Sequence, residues 1–309
     1  MDGGMAWMIV LVLAVVQGVG EFLPISSSGH LVILGALMND GLDAGLTKAE
    51  NFQLNIALHF GTLISILIAY RHDLRQVLGK PKLCAAIILA TIPAAVLGML
   101  FKSRVEATFS NPLLVGFNLL ITATLLALGQ HFGKNLRSLD ELRLRDAGVV
   151  GCFQAVSLLM RGVSRSGSTM TGGLLMGLRR EAAAAFSFLI AIPALGGATM
   201  LMAKDLLETR SAAHAAVDPS ETTAALSTSD NEAKTPASTD EKQADHVIAR
   251  PARLTPTMLA VGALLSCVVG LASLKSLLKL ISQRRLHWFS WYCLAVGLAT
   301  ISWQLWLKK

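Results

Sequence analysis

The sequence predicts an all-α integral membrane protein, with six transmembrane helices plus two re-entrant helical hairpins arranged as an inverted repeat. Three observations predict it. Of 309 residues, 53% are hydrophobic and 15% charged, and the mean hydropathy is +0.57, too apolar for an ordinary water-soluble domain. Six stretches stay apolar over the roughly 17 to 25 residues that a hydrocarbon core about 30 Å thick requires of a helix. Two further apolar regions are each broken in the middle by small polar residues: 5–38 around "PISSSGH", and 147–178 around "RGVSRSGST".

The first broken region carries no Lys or Arg, which first appear at Lys48, and it continues without interruption through Gln17 and Glu21. Both features argue against a cleaved leader. The region reads as two half-helices joined by a loop, and irregular backbone at membrane depth must be buried in protein or line a wet cavity. Spans follow at 54–70, 84–101 and 113–129. The second broken region precedes spans at 184–203, 258–281 and 288–307. Residues 204–255, rich in Ala, Ser, Thr, Asp, Glu and Pro, read as a disordered loop.

Basic residues cluster in the short connections: Arg71, Arg75, Lys80 and Lys82; Lys134, Arg137, Arg143 and Arg145; Arg179 and Arg180; Arg284 and Arg285. Cytoplasmic placement of these loops explains the net charge of +7 through the positive-inside rule, with no nucleic-acid partner. The same placement makes the first hairpin enter from outside, the second from the cytoplasm, and puts 204–255 outside. Cys84, Cys152, Cys267 and Cys293 lie singly in apolar surroundings without metal-ligand spacing, and read as packing residues.

Each half of the chain, 1–146 and 147–309, is then one broken hairpin followed by three spans, entering from opposite sides. A shift of 138 residues lays "ISSSGH" over "VSRSGS", matching Ser26 with Ser164, Ser28 with Ser166 and Gly29 with Gly167. Two hairpin tips entering from opposite faces meet near the midplane, which brings Gln17, Glu21, His30 and Arg165 into one pocket. A charge at that depth costs about 2.5 to 3.5 kcal/mol on insertion scales, so these groups are expected to face one another and a ligand.

Gln17 and Glu21, four apart, share one helix face. They can hold a hard divalent cation whose other ligands are phosphate oxygens and water, or form a polar contact between helices. Ser26, Ser27, Ser28 and Gly29 sit where a half-helix begins and offer hydroxyls and free N–H groups to an anion. Ser164, Ser166, Gly167 and Thr169 repeat the offer, and Arg165 adds a planar fork suited to phosphate or carboxylate. His30 can take a proton from a serine or a water, give one to a leaving group, or attack phosphorus itself. His59, near the start of the first span, is a second polar intrusion without partners nearby in sequence, and a candidate to support the site from behind.

The segments "VVQGVGEFLPISSSGHLVILG" and "GVSRSGSTMTGGLLMGL" closely resemble the bacterial undecaprenyl-diphosphate phosphatases, the bacitracin-resistance family. The resemblance continues through "LHFGTLISIL", "TIPAAVLGMLF", "FNLL", "GCFQA", "FSFLIAIPALGGA" and "KSLLKLI", and so covers nearly the whole chain. It implies hydrolysis of a C55 isoprenoid diphosphate to the monophosphate, which recycles the carrier for cell-wall polymers. It also implies a divalent cation, Mg²⁺ or Ca²⁺, and a multi-pass protein of the bacterial inner membrane, and the outward opening of the first hairpin points the site to the periplasm. In the family pattern Glu21 helps hold metal or orients the histidine, Ser27 and His30 are nucleophile and proton-transfer partner, and Arg165 clamps the diphosphate. Ser164, Ser166 and Thr169 match its supporting hydroxyls. Arg161 stands where the family usually has proline, and 204–255 is longer than the usual connection. A transporter or flippase for an anionic lipid would use similar broken helices, but has no evident use for a nucleophile beside a base. The sequence leaves a homodimer open.

Overall fold

A computed structural model describes residues 3–42, 47–101, 111–134, 136–215 and 254–307, and among them it is built of helices. In chain order these are α1 Gly3–Phe22, α2 Ser27–Leu42, α3 Lys48–Ala69, α4 Arg71–Leu78, α5 Pro81–Leu100 and α6 Pro112–Phe132. After a short 3₁₀ turn at Leu139–Glu141 come α7 Leu144–Leu159, α8 Arg165–Leu175, α9 Arg180–Ala215, α10 Pro256–Ser282 and α11 His287–Trp306. Local chemistry sets the boundaries. Thr47 and Glu50 form a reciprocal capping box at the start of α3, Asn111 and Thr255 cap α6 and α10, and proline occupies the first position of α5, α6 and α10.

Six described helical stretches are long and apolar enough to cross a membrane: Gly4–Phe22, Glu50–Ala69, Pro81–Leu100, Pro112–Phe132, Arg180–Glu208 and Pro256–Ser282. One member differs from the sequence expectation. Helix α1 was expected as a half-helix, yet its 20 residues rise about 30 Å, a full hydrocarbon thickness. Conversely α11, expected as a span, does form a 20-residue helix, but His287, Tyr292, Gln304 and four tryptophans dilute its hydropathy. The other broken-region helices are shorter: α2 and α7 have 16 residues each, and α8 has 11. The expected disordered loop is also corrected at its start, because α9 continues as helix through 204–215, with Lys204 and Glu208 3.6 Å apart on its surface. Residues 216–253 of that expectation lie outside the described residues.

Large apolar side chains point outward along the helices, among them Ile88, Met99, Phe117, Leu264, Val268 and Trp306, as lipid solvation allows. Inside, close approach relies on small residues. A Cβ on Gly61 of α3 would collide with the Ala263 carbonyl of α10, and one on Gly151 of α7 would lie 2.7 Å from the Ala90 carbonyl of α5. The main packing pairs are α1 with α10, α3 with α10, α5 with α7, and α6 with α11. The central core collects Phe22, Ile25, Ile66, Leu119, Phe188, Leu274 and Cys293 around the two interrupted regions, with Phe22 and Phe188 edge to face at 5.8 Å. Outside the core, Arg137 bonds the buried carboxylate of Asp146 at 2.6 Å and the Met176 carbonyl, tying the loop before α7 to the end of α8.

Candidate active site

Pro24 ends α1, and the chain reverses within a few residues. The Ile25 N–H reaches the Leu23 carbonyl at 2.7 Å, and Ser26 takes the left-handed conformation, φ 70°, that non-glycine residues seldom adopt. Helix α2 then starts at Ser27, with the Ser26 hydroxyl accepting the Gly29 N–H at 3.2 Å. In the second loop the turn is made by Gly162, φ 103°, and Ser164 caps α8 by accepting the Gly167 N–H at 3.1 Å. Helix α6 anchors this loop from outside it. Asn118 donates to the Arg161 carbonyl at 2.6 Å, and the Thr122 hydroxyl accepts the Ser164 N–H at 3.0 Å.

The tips touch. The Ser166 hydroxyl donates to the Leu23 carbonyl at 3.3 Å, a Cβ on Gly167 would sit 3.3 Å from Pro24, and one on Gly29 would sit 3.2 Å from Gly162. The first turns of α2 and α8 therefore converge, bringing the positive ends of two helix dipoles together.

Glu21 is the centre of this meeting. One carboxylate oxygen accepts the Ser27 hydroxyl at 2.7 Å and the Gln17 amide at 3.0 Å, and the other accepts Arg165 Nη2 at 2.8 Å. The carboxylate is 6% exposed and the Arg165 side chain 18%. The imidazole Nε2 of His59 stands 3.9 Å from the Glu21 oxygen that accepts Ser27, its Nδ1 donating to the Asn55 carbonyl at 2.9 Å. Three buried polar atoms here have no hydrogen-bond partner: Gln17 Oε1, Arg165 Nη1 and Ser168 Oγ. Gln17 Oε1 is thus a spare acceptor and Arg165 Nη1 a spare donor on two side chains that already bond Glu21, and the Ser168 hydroxyl can serve as either.

The structure brings Gln17, Glu21 and Arg165 together, with Ser27 and His59 on the same carboxylate, whereas His30, grouped with them from the sequence, bonds Ser26 and Tyr292 instead. Other expected residues have different partners from those foreseen. His30 is not hydrogen-bonded to Ser27; its Nδ1 lies 2.8 Å from the Ser26 carbonyl and its Nε2 2.8 Å from the Tyr292 hydroxyl. Ser26 and Ser164 spend their hydroxyls as helix caps, and Ser28 lies 3.5 Å from Ser26 Oγ. Thr169, fully buried, bonds the Arg165 carbonyl at 2.8 Å and Ser187 of α9 at 2.5 Å, so it supports the loop from behind. Sequence reasoning missed Asn118, Thr122 and Tyr292. The first two were findable as polar residues one turn apart in an apolar span; Tyr292 had no such signal.

Among the described residues, no cluster of three His, Cys, Asp or Glu side chains forms a metal cage. The site instead offers hard oxygens: the Glu21 carboxylate, the unpartnered Gln17 Oε1 and the Ser27 hydroxyl. This set is too sparse to hold Mg²⁺ or Ca²⁺ alone, and fits an ion that completes its shell with phosphate oxygens and water.

The fold and site define a polytopic helical membrane protein with a carboxylate, a serine and an arginine bonded together in its interior. The chain belongs to the bacitracin resistance protein BacA family, whose model matches residues 10–299. It is 36% identical over 293 residues to an undecaprenyl-diphosphatase of Rhodopirellula baltica, covering 94% of this chain and 96% of that one. A Moorella thermoacetica protein of the same name is 42% identical over 209 residues, covering 63% and 76% respectively. One from Korarchaeum cryptofilum is 35% identical over 311 residues, covering 94% and 97%.

Proposed function

We infer that the chain hydrolyses undecaprenyl diphosphate to undecaprenyl phosphate and inorganic phosphate, recycling the lipid carrier and conferring bacitracin resistance. The names of its relatives and its family support the reaction, and one observation carries the chemistry: Glu21 holds the Ser27 hydroxyl on one oxygen and Arg165 on the other. In this reading Ser27 Oγ attacks the terminal phosphorus as its proton passes to Glu21. The bond from phosphorus to the bridging oxygen breaks, and undecaprenyl phosphate leaves. Water then hydrolyses the phosphoserine. Arg165 Nη1 and the N-termini of α2 and α8 face the charge that develops on the transferring group, the main demand of phosphoryl transfer. His30, one turn along α2 from Ser27, serves proton transfer in the second step. A divalent cation held by Glu21 and Gln17 Oε1 supplies further charge neutralisation when bound.

The same reading takes the two halves as an inverted repeat with re-entrant hairpins in the bacterial inner membrane, the site opening to the periplasm. Exchange of packing partners supports it: α1 packs on α10 as α7 packs on α5, and α3 meets α10 as α9 meets α5. The test is phosphate release from a C55 isoprenyl diphosphate by purified protein, with and without EDTA, beside Arg165→Ala. Metal-dependent release that falls by at least about 10³-fold in the variant is expected. No release from folded protein with any metal would overturn the phosphatase and favour an anion carrier.

A further inference from the structure

Tyr292 lies in the second turn of α11 near Trp288 and Trp291, where an interfacial aromatic belt is the ordinary explanation. Its hydroxyl nevertheless meets a functional side chain, His30 Nε2, at 2.8 Å, with the two rings near parallel at 11° and 5.7 Å between centroids. The neighbours of Tyr292 fix this meeting. Ser290 donates to the Ala123 carbonyl of α6 at 2.7 Å, and the fully buried Cys293 rests 3.5 Å from the Pro24 carbonyl in the first loop. The register of α11 against the Pro24 turn is thus locked on both sides of Tyr292.

Hydrogen counting then assigns the direction of each bond. The Ser26 carbonyl can only accept, so Nδ1 of His30 carries the proton. In the neutral ring Nε2 is left as a lone pair, and the Tyr292 phenol, protonated at neutral pH, donates to it. We propose that Tyr292 is a positioning residue for the reaction: it holds His30 as the Nδ1–H tautomer, with Nε2 as the acceptor and the ring fixed in orientation. The Ser26 carbonyl alone leaves the ring free to swing about a single bond, and the second contact removes that freedom. This gives α11 a part in the site beyond packing on α6.

The proposal rests on the phosphatase reading for its kinetic arm only. In purified Tyr292→Phe, phosphate release from a C55 isoprenyl diphosphate is expected to show kcat about tenfold lower with KM within about twofold, the loss of one orienting hydrogen bond. Nitrogen NMR of histidine-labelled protein, with the His30 signals assigned by their absence in His30→Gln, is expected to show a protonated Nδ1 and an accepting Nε2 in the unsubstituted protein, and a shifted Nε2 in Tyr292→Phe. An unsubstituted protein with the proton on Nε2 would overturn the proposal whether or not the variant folds. So would a variant with unchanged kcat and an unmoved imidazole, leaving Tyr292 as an interfacial anchor. Failure of the unsubstituted protein to release phosphate would instead overturn the functional reading, because the tautomer does not depend on turnover.

Discussion

In the first loop Ser26 caps α2 through the Gly29 N–H, and in the second Ser164 caps α8 through the Gly167 N–H, yet the backbones that lead to these caps differ. The first loop puts a serine at φ 70°, and the second places its positive φ two residues before the cap, on Gly162. The loops also differ in what they carry. Ser27 and Arg165 occupy the same position, the first residue of each short helix, and both bond Glu21, one on each oxygen. The residue 138 positions after Glu21, the offset that aligns the two loops, is Leu159. Two helix starts capped in the same way thus provide two matched platforms, one presenting a hydroxyl and the other a charge to one shared carboxylate. The difference teaches that the two loops are anchored from different helices: Asn118, Thr122 and, through Thr169, Ser187 hold the charge-bearing one, while Cys293 and Tyr292 of α11 hold the other.

The comparison breaks most sharply at Glu21. Glu21→Gln keeps shape but removes the charge that pairs Arg165 and accepts from Ser27, so phosphate release is expected to fall by about 10³-fold or more. Steady-state release by the folded variant checks this, and a loss below tenfold would show that the two loops do not act through Glu21. Next in size is the second-loop turn. Gly162→Ala forces a side chain into φ 103° with its Cβ 3.0 Å from Asn118 and 3.1 Å from the Val115 backbone, and is expected to cost about 2 kcal/mol or more in thermal or denaturant unfolding.

Anchoring comes third. Thr122→Val strands the buried Ser164 N–H and should cost about 1 to 3 kcal/mol, whereas Thr122→Ser retains the acceptor and should cost less. Equal losses from both would remove the hydrogen bond from the account. The smallest change is expected in the first loop. Ser26→Gly relieves a left-handed serine but loses a cap and adds unfolded-state entropy, and the opposing effects should leave stability within about 1 kcal/mol. A large destabilisation there would mean that the Ser26 hydroxyl does more than cap α2.

Much of this was legible in the sequence because the membrane makes apolar length visible. The spans, the two interruptions, and the grouping of Gln17, Glu21 and Arg165 all follow from runs, breaks and the cost of buried charge. Helix α1 reads from the sequence as a half-helix because the Pro-Ile-Ser-Ser-Ser-Gly stretch breaks the apolar run, while in the structure the helix before that break is continuous from Gly3 to Phe22 and long enough to span. The partners of His30 and Thr169 were not legible. Which face of a short helix meets which neighbour depends on packing between helices far apart in the chain, so the sequence pattern pointed His30 to Ser27 and Thr169 to the ligand. Tyr292 was hidden for the same reason, in a helix whose tryptophans already account for an aromatic there.

The most direct test of the central claim is Ser27→Ala, assayed in parallel for phosphate release and for binding of the C55 isoprenyl diphosphate. With Ser27 as the nucleophile oriented by Glu21, release should be nearly abolished while binding through Arg165 and the helix N-termini persists. A fully active alanine variant would contradict the account.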